Sequence, residues 1–313
     1  MIHALSGGVG GAKLAVGLAA LLSPPELTVV VNTADDFDYL GLHIMPDLDS
    51  VLYALAGLND TERGWGRAGE SWVCKDTVTS LGVDNWFALG DKDLAIHILR
   101  TEWLRQGLSA SQVAAELTGR LGIAHAVLPM SDEPVSTVVL SEGQRIAFQE
   151  YFVRLQCRPR ADGFEFAGME TAKPQAQWMA QMASADMQGV VICPSNPYVS
   201  VEPILALPGV KDALKRQPVV AVSPIIGGRA IKGPAAKMMA ELGHEISPLG
   251  VARCYQGLLD GMVIDIEDAA LAPQLRDLGL QVTVTQTLMK SRKDSVQLAR
   301  ETLDLLARCR GAS

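Results

Sequence analysis

The chain has 313 residues, a net charge of −8 with neutral histidines, a 48% hydrophobic share and a mean hydropathy of +0.18. It is too apolar to stay disordered and long enough for a sizeable core, in one large or two ordinary domains. Its acidity excludes a basic nucleic-acid surface, its five scattered cysteines with no CxxC exclude a disulfide framework or zinc knuckle, and its broken apolar runs exclude a bilayer span.

The chain opens on Ile2 to Leu5, an apolar run expected to be a buried strand, with no basic segment of a secretory signal before it. A glycine-rich turn follows, then a helix expected from Ala12 to Leu22 and stopped by Pro24-Pro25. Leu27 to Val31 is a second β-branched strand, so the chain begins as a βαβ unit. From Asp49 to Gly122 apolar residues recur at helical spacing in Val51–Leu58, Leu94–Leu104 and Val113–Leu121, which predicts a helical insert. Ser109 or Ser111 can cap its last helix. Ser136–Leu140 and Arg145–Arg154 read as a hairpin, and the polar stretch from Arg154 to Gly168 as a loop or edge excursion. Buried strands are then expected at Gly189–Cys193, Val219–Val222, Met262–Ile266 and Gln281–Thr285. Helices are expected over 172–186, 234–242 and about Asp294–Cys309. The fold class is α/β.

Several loops carry residue types suited to a phosphate ligand. Gly7, Gly8, Gly10 and Gly11 lie between a strand and a helix, where backbone amides can reach a phosphate. Lys13 breaks a dinucleotide GxGxxG, and Gly11-Ala12-Lys13-Leu14 is not a P-loop. A tight turn without ligand is the alternative. Asn32, Thr33 and Asp36 follow the second strand, where an NAD enzyme would place an acid on the ribose. The strand-end residue is Asn32, which counts against NAD. Asp47 and Asp49 stand before a helix, as oxygen ligands for Mg²⁺ or as helix caps. Asp91 and Lys92 sit in a Gly-Asp-Lys-Asp turn that can hold an anion or simply open a helix. Ser195 and Asn196, and further on Gly227, Gly228 and Lys232, follow later strands at the end where open α/β sheets bind ligands. No HExxH or GxSxG is present, so neither zinc hydrolysis nor an α/β-hydrolase elbow is indicated.

Together, SGGVGGAKL, VNTADDF, PDLDSVLYALAG, GDKDLA, LPMSDEPVST, FQEYFVR, CPSNPYVSVEPIL, AVSPIIGGRAIKGPAAKM and VTVTQTLM run in order from residue 6 to residue 289. In that order they resemble the 2-phospho-L-lactate transferase (CofD/FbiA) family of coenzyme F-420 biosynthesis. The resemblance implies a single domain over residues 1–313, with a Rossmann-like, mostly parallel sheet in a three-layer core and a helical insert at about 49–122. It implies a cytoplasmic homodimer acting on small molecules. The substrates implied are Fo, a deazaflavin, and a guanosine diphosphate carrying a three-carbon acid: phospholactate, phosphoenolpyruvate or phosphoglycerate. Transfer to the ribityl hydroxyl of Fo would release GMP, with Mg²⁺ as cofactor. Asp49 and Lys92 match Fo-site positions, with Asp49 and Asp47 associated with the metal. Lys92 stands where the family's turn often carries arginine, so the charge is kept without the bidentate fork. Two other readings are a nucleotide-sugar-binding regulatory protein of the related gluconeogenesis-factor-like branch and an NAD(P) oxidoreductase.

Overall fold

The computed structural model describes residues 1–311. The chain runs β1 (Ile2–Ser6), α1 (Gly8–Ala19) and β2 (Leu27–Val31), then a small hairpin of β3 (Phe37–Tyr39) and β4 (Leu42–Ile44). Four helices follow: α2 (Pro46–Leu55), α3 (Val73–Ser80), α4 (Asp91–Arg105) and α5 (Ala110–Arg120). Next come β5 (Ala126–Pro129), β6 (Ser136–Ser141), β7 (Gln144–Ala147), β8 (Gly163–Ala167), α6 (Ala176–Met182) and β9 (Gly189–Ile192). The rest comprises α7 (Glu202–Ala206), α8 (Val210–Leu214), β10 (Val219–Val222), β11 (Ile225–Ile226), β12 (Arg229–Ala230), α9 (Ala235–Glu241) and α10 (Pro248–Cys254). The last elements are β13 (Gly261–Asp265), α11 (Ala272–Asp277), β14 (Gln281–Thr285) and α12 (Arg292–Gly311).

Seven strands form one parallel sheet in the order β5-β2-β1-β9-β10-β13-β14. Counted along the chain within that sheet, the order begins 3-2-1-4-5-6, the doubly wound arrangement. Its two faces follow the strand period of two. Ala4, Val29, Val31, Val191, Val220 and Val263 face one core with α1, α2, α5 and α12. Leu5, Val30, Val190, Ile192, Ala221, Met262 and Ile264 face the other, with Trp178 and the short helices α6 to α8 and α10. The inner strands β2, β1, β9, β10 and β13 are buried on both faces, which is why they read as nearly continuous apolar runs.

Several boundaries differ from the sequence expectation. The first helix starts at Gly8 rather than Ala12, so the glycine loop is itself its first turn. The helix expected over 172–186 keeps only Ala176–Met182. The strand expected to reach Arg154 stops at Ala147, and Glu150–Arg154 winds into a π-helical turn. β8 forms inside the expected loop, pairing antiparallel with β6. β5 was not expected, because a four-residue run ending in proline has no readable period. In the helical stretch, Ser109 caps α5 with a reciprocal bond from Gln112. That stretch is not a separate body: Leu48, Val51, Ile96, Val113 and Leu117 share a core with α1 and the sheet.

Helices α1 and α12 cross at Gly17, where an added Cβ would lie 2.1 Å from the Ser295 carbonyl oxygen. Backbone cannot swing away as a side chain can. Gly17→Ala is therefore expected to destabilise the protein by about 1–3 kcal/mol through overpacking, despite alanine's better helix propensity. Urea denaturation would show a lowered midpoint; an unchanged or raised midpoint would mean the crossing adjusts freely.

Candidate active site

The strand order reverses between β1 and β9, and their carboxyl-end loops flank a cavity of about 680 Å³. Its floor is the glycine loop. Gly7 precedes α1 in extended conformation, and Gly8 has φ +62°, a left-handed geometry that favours glycine. The loop is braced from below. The Gly7 N–H donates to Ser195 Oγ at 3.0 Å, and that hydroxyl donates back to the Gly7 carbonyl at 2.8 Å. The Gly8 N–H donates to Asp47 Oδ1 at 2.7 Å. Asn32 donates to Asp47 Oδ2 at 2.9 Å and to the Val199 carbonyl at 3.2 Å. The N–H groups of Val9 and Gly10, one position further on, lack intrahelical acceptors and head the helix on the cavity side.

This bracing occupies both Asp47 oxygens, which accept the Gly8 amide and Asn32 and make the carboxylate a buried support for the loop. Burial raises its pKa to about 6, against the lowering effect of those two hydrogen bonds. The glycines are also demanded by the chain itself. A Cβ at Gly10 would meet the Pro194 carbonyl oxygen at 2.4 Å, and one at Gly11 the hydroxyls of Ser6 and Ser195. Gly11, Asn32 and Thr33 lie behind the cavity wall and shape it without lining it.

One wall is acidic. It comes from facing turns of α2, bearing Asp49 and Tyr53, and α4, bearing Asp93, His97 and Arg100. Arg100 is fully buried and grips both Asp49 oxygens, through Nη1 at 2.9 Å and a shorter bond from Nη2. Arg100 Nη1 also lies 3.1 Å from His97 Nδ1. His97 Nε2 is 3.3 Å from Asp93 Oδ1, and Tyr53 donates to the same oxygen at 2.5 Å. Burial works to raise the Asp93 pKa, but His97, Tyr53 and the Arg100 charge outweigh it and hold the carboxyl below its ordinary range. Asp49 is only 5% exposed.

The lining also carries two lysines. Lys13 donates to the Met289 carbonyl at 2.8 Å, and Lys232 to the Gly64 carbonyl at 3.0 Å. Burial, then repulsion from Lys232, lowers the Lys13 pKa. Trp65, Trp86, Phe87, Phe148 and Phe152 line it as well. Ser195 and Asn196 line the floor, as the sequence position after β9 predicts.

Other expected residues are elsewhere. Lys92 is exposed; its Nζ reaches the Ala68 carbonyl at 3.5 Å, outside the cavity lining. Asp91 accepts Ser71 and the amides of Val73 and Cys74, so it caps α3. Asp36 is held near His43, 3.9 Å away, with burial raising its pKa. Gly227 and Gly228 form the β11–β12 turn, away from the lining; Lys232 beyond them does reach it. His97, Arg100 and Tyr53 were not singled out from sequence, and Asp93 only as an acid of the Gly-Asp-Lys-Asp turn. Their signal was positions i, i+4 and i+7 on α4, which place Asp93, His97 and Arg100 on one helix face.

Donor atoms of Asp49, Asp93 and His97 lie within 4.8 Å of one another. Mg²⁺ binds oxygen, often through one or two carboxylates with waters retained. Asp49 and Asp93 fit that demand, while His97 is engaged by Arg100 through Nδ1.

The sequence model described as "2-phospho-L-lactate transferase CofD" matches residues 2–303. The chain belongs to the CofD family. It is 40% identical to a protein of Methanococcoides burtonii named 2-phospho-L-lactate transferase, over 96% of this chain and 98% of that one. It is 38% identical to a Streptomyces griseus protein named phosphoenolpyruvate transferase, over 97% of this chain and 98% of that one. In fold it resembles a Bacillus halodurans protein of the UPF0052 family, with a TM-score of 0.62 at 17% identity, covering 96% and 98% of the two chains. These relationships make the CofD-family chain a transferase.

Two stability outcomes follow. Asp49→Ala strands a buried guanidinium, so the loss expected is about 3–5 kcal/mol, measured by urea unfolding; a near-wild-type midpoint would mean Arg100 is not dependent on Asp49. For Asp47 the folded pKa lies above the ordinary 3.8. Its contribution is therefore fully present below about pH 4 and lost as pH rises through about 6. In metal-free buffer, Asp47→Asn should flatten that part of the stability–pH curve, and an unaltered slope would exclude Asp47 as its source.

Proposed function

We propose that this CofD-family transferase moves a phosphorylated three-carbon acid from a guanosine diphosphate-linked donor to Fo, with release of GMP, in coenzyme F-420 biosynthesis. The observation that carries this reading is a single cavity lined by two lysines, an acidic wall and five aromatic rings. The donor diphosphate suits the head of α1 with Lys13 and Lys232, where backbone amides and two ammonium groups answer its charge. The planar deazaflavin suits the aromatic stretch, with its ribityl chain toward Asp49 and Asp93.

The terminal ribityl oxygen forms a bond to the β-phosphorus, and the bond from that phosphorus to the bridging oxygen breaks. GMP leaves with the bridging oxygen, and the hydroxyl proton passes to a carboxylate of the acidic wall. The chain needs to align these atoms and offset charge; no nucleophilic serine or cysteine is required. Mg²⁺ held by Asp49 and Asp93 would supply charge neutralisation at the phosphoryl oxygens. The three-carbon acid is left open by the relatives, which carry both phospholactate and phosphoenolpyruvate names. A cytoplasmic homodimer completes the proposal. The scattered cysteines of the sequence, with no CxxC, suit a reducing compartment, and no helix among the described residues is long and apolar enough to cross a membrane.

The test is purified protein with Fo and Mg²⁺, comparing guanylated lactate, enolpyruvate and glycerate phosphates by mass spectrometry. A phosphodiester of Fo and stoichiometric GMP are expected with one preferred donor; neither product with any donor would refute the reading. Lys232→Met should raise the donor KM about tenfold, the scale of one charge-assisted contact, and leave the Fo KM unchanged. An Fo-selective defect would reverse the assignment of the two substrates.

A further inference from the structure

Arg100 touches neither the cavity nor any group outside the acidic wall and its backing. Nonetheless it is completely buried and charged, a costly arrangement that needs a reason. Its partners supply one. Nη1 and Nη2 fix both Asp49 oxygens, which sets the plane of that carboxylate. Arginine has only donors, so the 3.1 Å contact with His97 makes Nδ1 an acceptor and leaves the ring proton on Nε2. That nitrogen faces Asp93, whose carboxylate also takes the Tyr53 hydroxyl. One guanidinium thus orients Asp49 directly and fixes the imidazole that stands 3.3 Å from Asp93. All three α4 residues share one helix face, so the relay is rigid along its length.

We propose that Arg100 is the positioning residue of the transferase, acting through Asp49 and the His97 tautomer to set the two carboxylates at the reacting end of the cavity. This rests on the transfer chemistry proposed above. Lysine can replace the charge but not the fork, so Arg100→Lys should keep the fold and lose alignment. A misplacement of this kind costs roughly 10²-fold in kcat, with KM for Fo and donor within about twofold of wild type.

Kinetics of Arg100→Lys, Asp49→Asn and the double variant, with melting temperatures, would separate positioning from packing. If Arg100 works through Asp49, the lysine substitution in the Asp49→Asn background costs under about twofold further. An equal loss in both backgrounds, or full kcat in Arg100→Lys, would overturn the proposal. Nitrogen-15 spectra of histidine-labelled protein supply a readout independent of turnover. In wild type, His97 should show an unprotonated, hydrogen-bonded Nδ1, and this pattern should change in Arg100→Lys. An unchanged pattern would also overturn it. If the wild type yields no product from any donor, the transfer reading fails, and the His97 signal alone then decides whether Arg100 sets the acidic wall.

Discussion

The whole arrangement depends on the point where a parallel sheet turns back on itself. Strands β1 and β9 are neighbours, in register from Ile2 opposite Gly189. Their onward connections lead to opposite faces, α1 on one and the short helices from α7 on the other. A crevice therefore opens beyond their carboxyl ends, because no connection crosses it. Everything that lines the floor is a consequence: the first turn of α1, the Ser195 bond to Gly7 and the carbonyl of Pro194 packed on Gly10. The glycines serve the fold and the cavity together. They let two loops close to van der Waals distance, and that closeness puts the helix head at the surface of the crevice.

Polarity is then added from outside the sheet. The helices inserted after β2 carry the acidic wall, while Lys232 arrives from the segment after β12 and Lys13 from α1. Three separate parts of the chain thus meet around one space.

What could be read from sequence follows the same division. The buried strands of the main sheet were legible because burial on both faces writes an unbroken apolar run, as in Leu27–Val31 and Val219–Val222. The close backbone approach at the glycine loop was legible because four glycines stand between strand and helix, and here Gly10 meets Pro194 and Gly11 meets Ser6 and Ser195. Short elements were not: β3 and β4 have three residues each, and Tyr39 is held by rings at Trp86 and Phe87 far along the chain. The roles of single polar residues were also hidden. Asp47 and Asp49 look equivalent two positions apart, yet a helix turns them toward different partners, the Gly8 amide and the Arg100 fork. Lys92 and Asp93 are adjacent, and the same rotation sends one to the surface and the other to the cavity.

The rotation that separates those neighbours also explains why the acidic wall needs a buried cation. Two carboxylates, Asp49 and Asp93, face each other across α2 and α4, with Asp36 and Asp35 close behind. Burial pushes Asp35 and Asp36 well above the ordinary carboxyl range, Asp35 further raised by Asp47 and Asp36 by Asp35 and Asp49. Burial works the same way on Asp93, where His97, Tyr53 and then the Arg100 charge outweigh it and hold the carboxyl below its ordinary range. The Arg100 charge also offsets part of the rise at Asp36. A lysine on the cavity surface could supply the charge, but it would compete for the same space as the ligand. Placing the cation inside the helix pair leaves the front of the wall open and anionic.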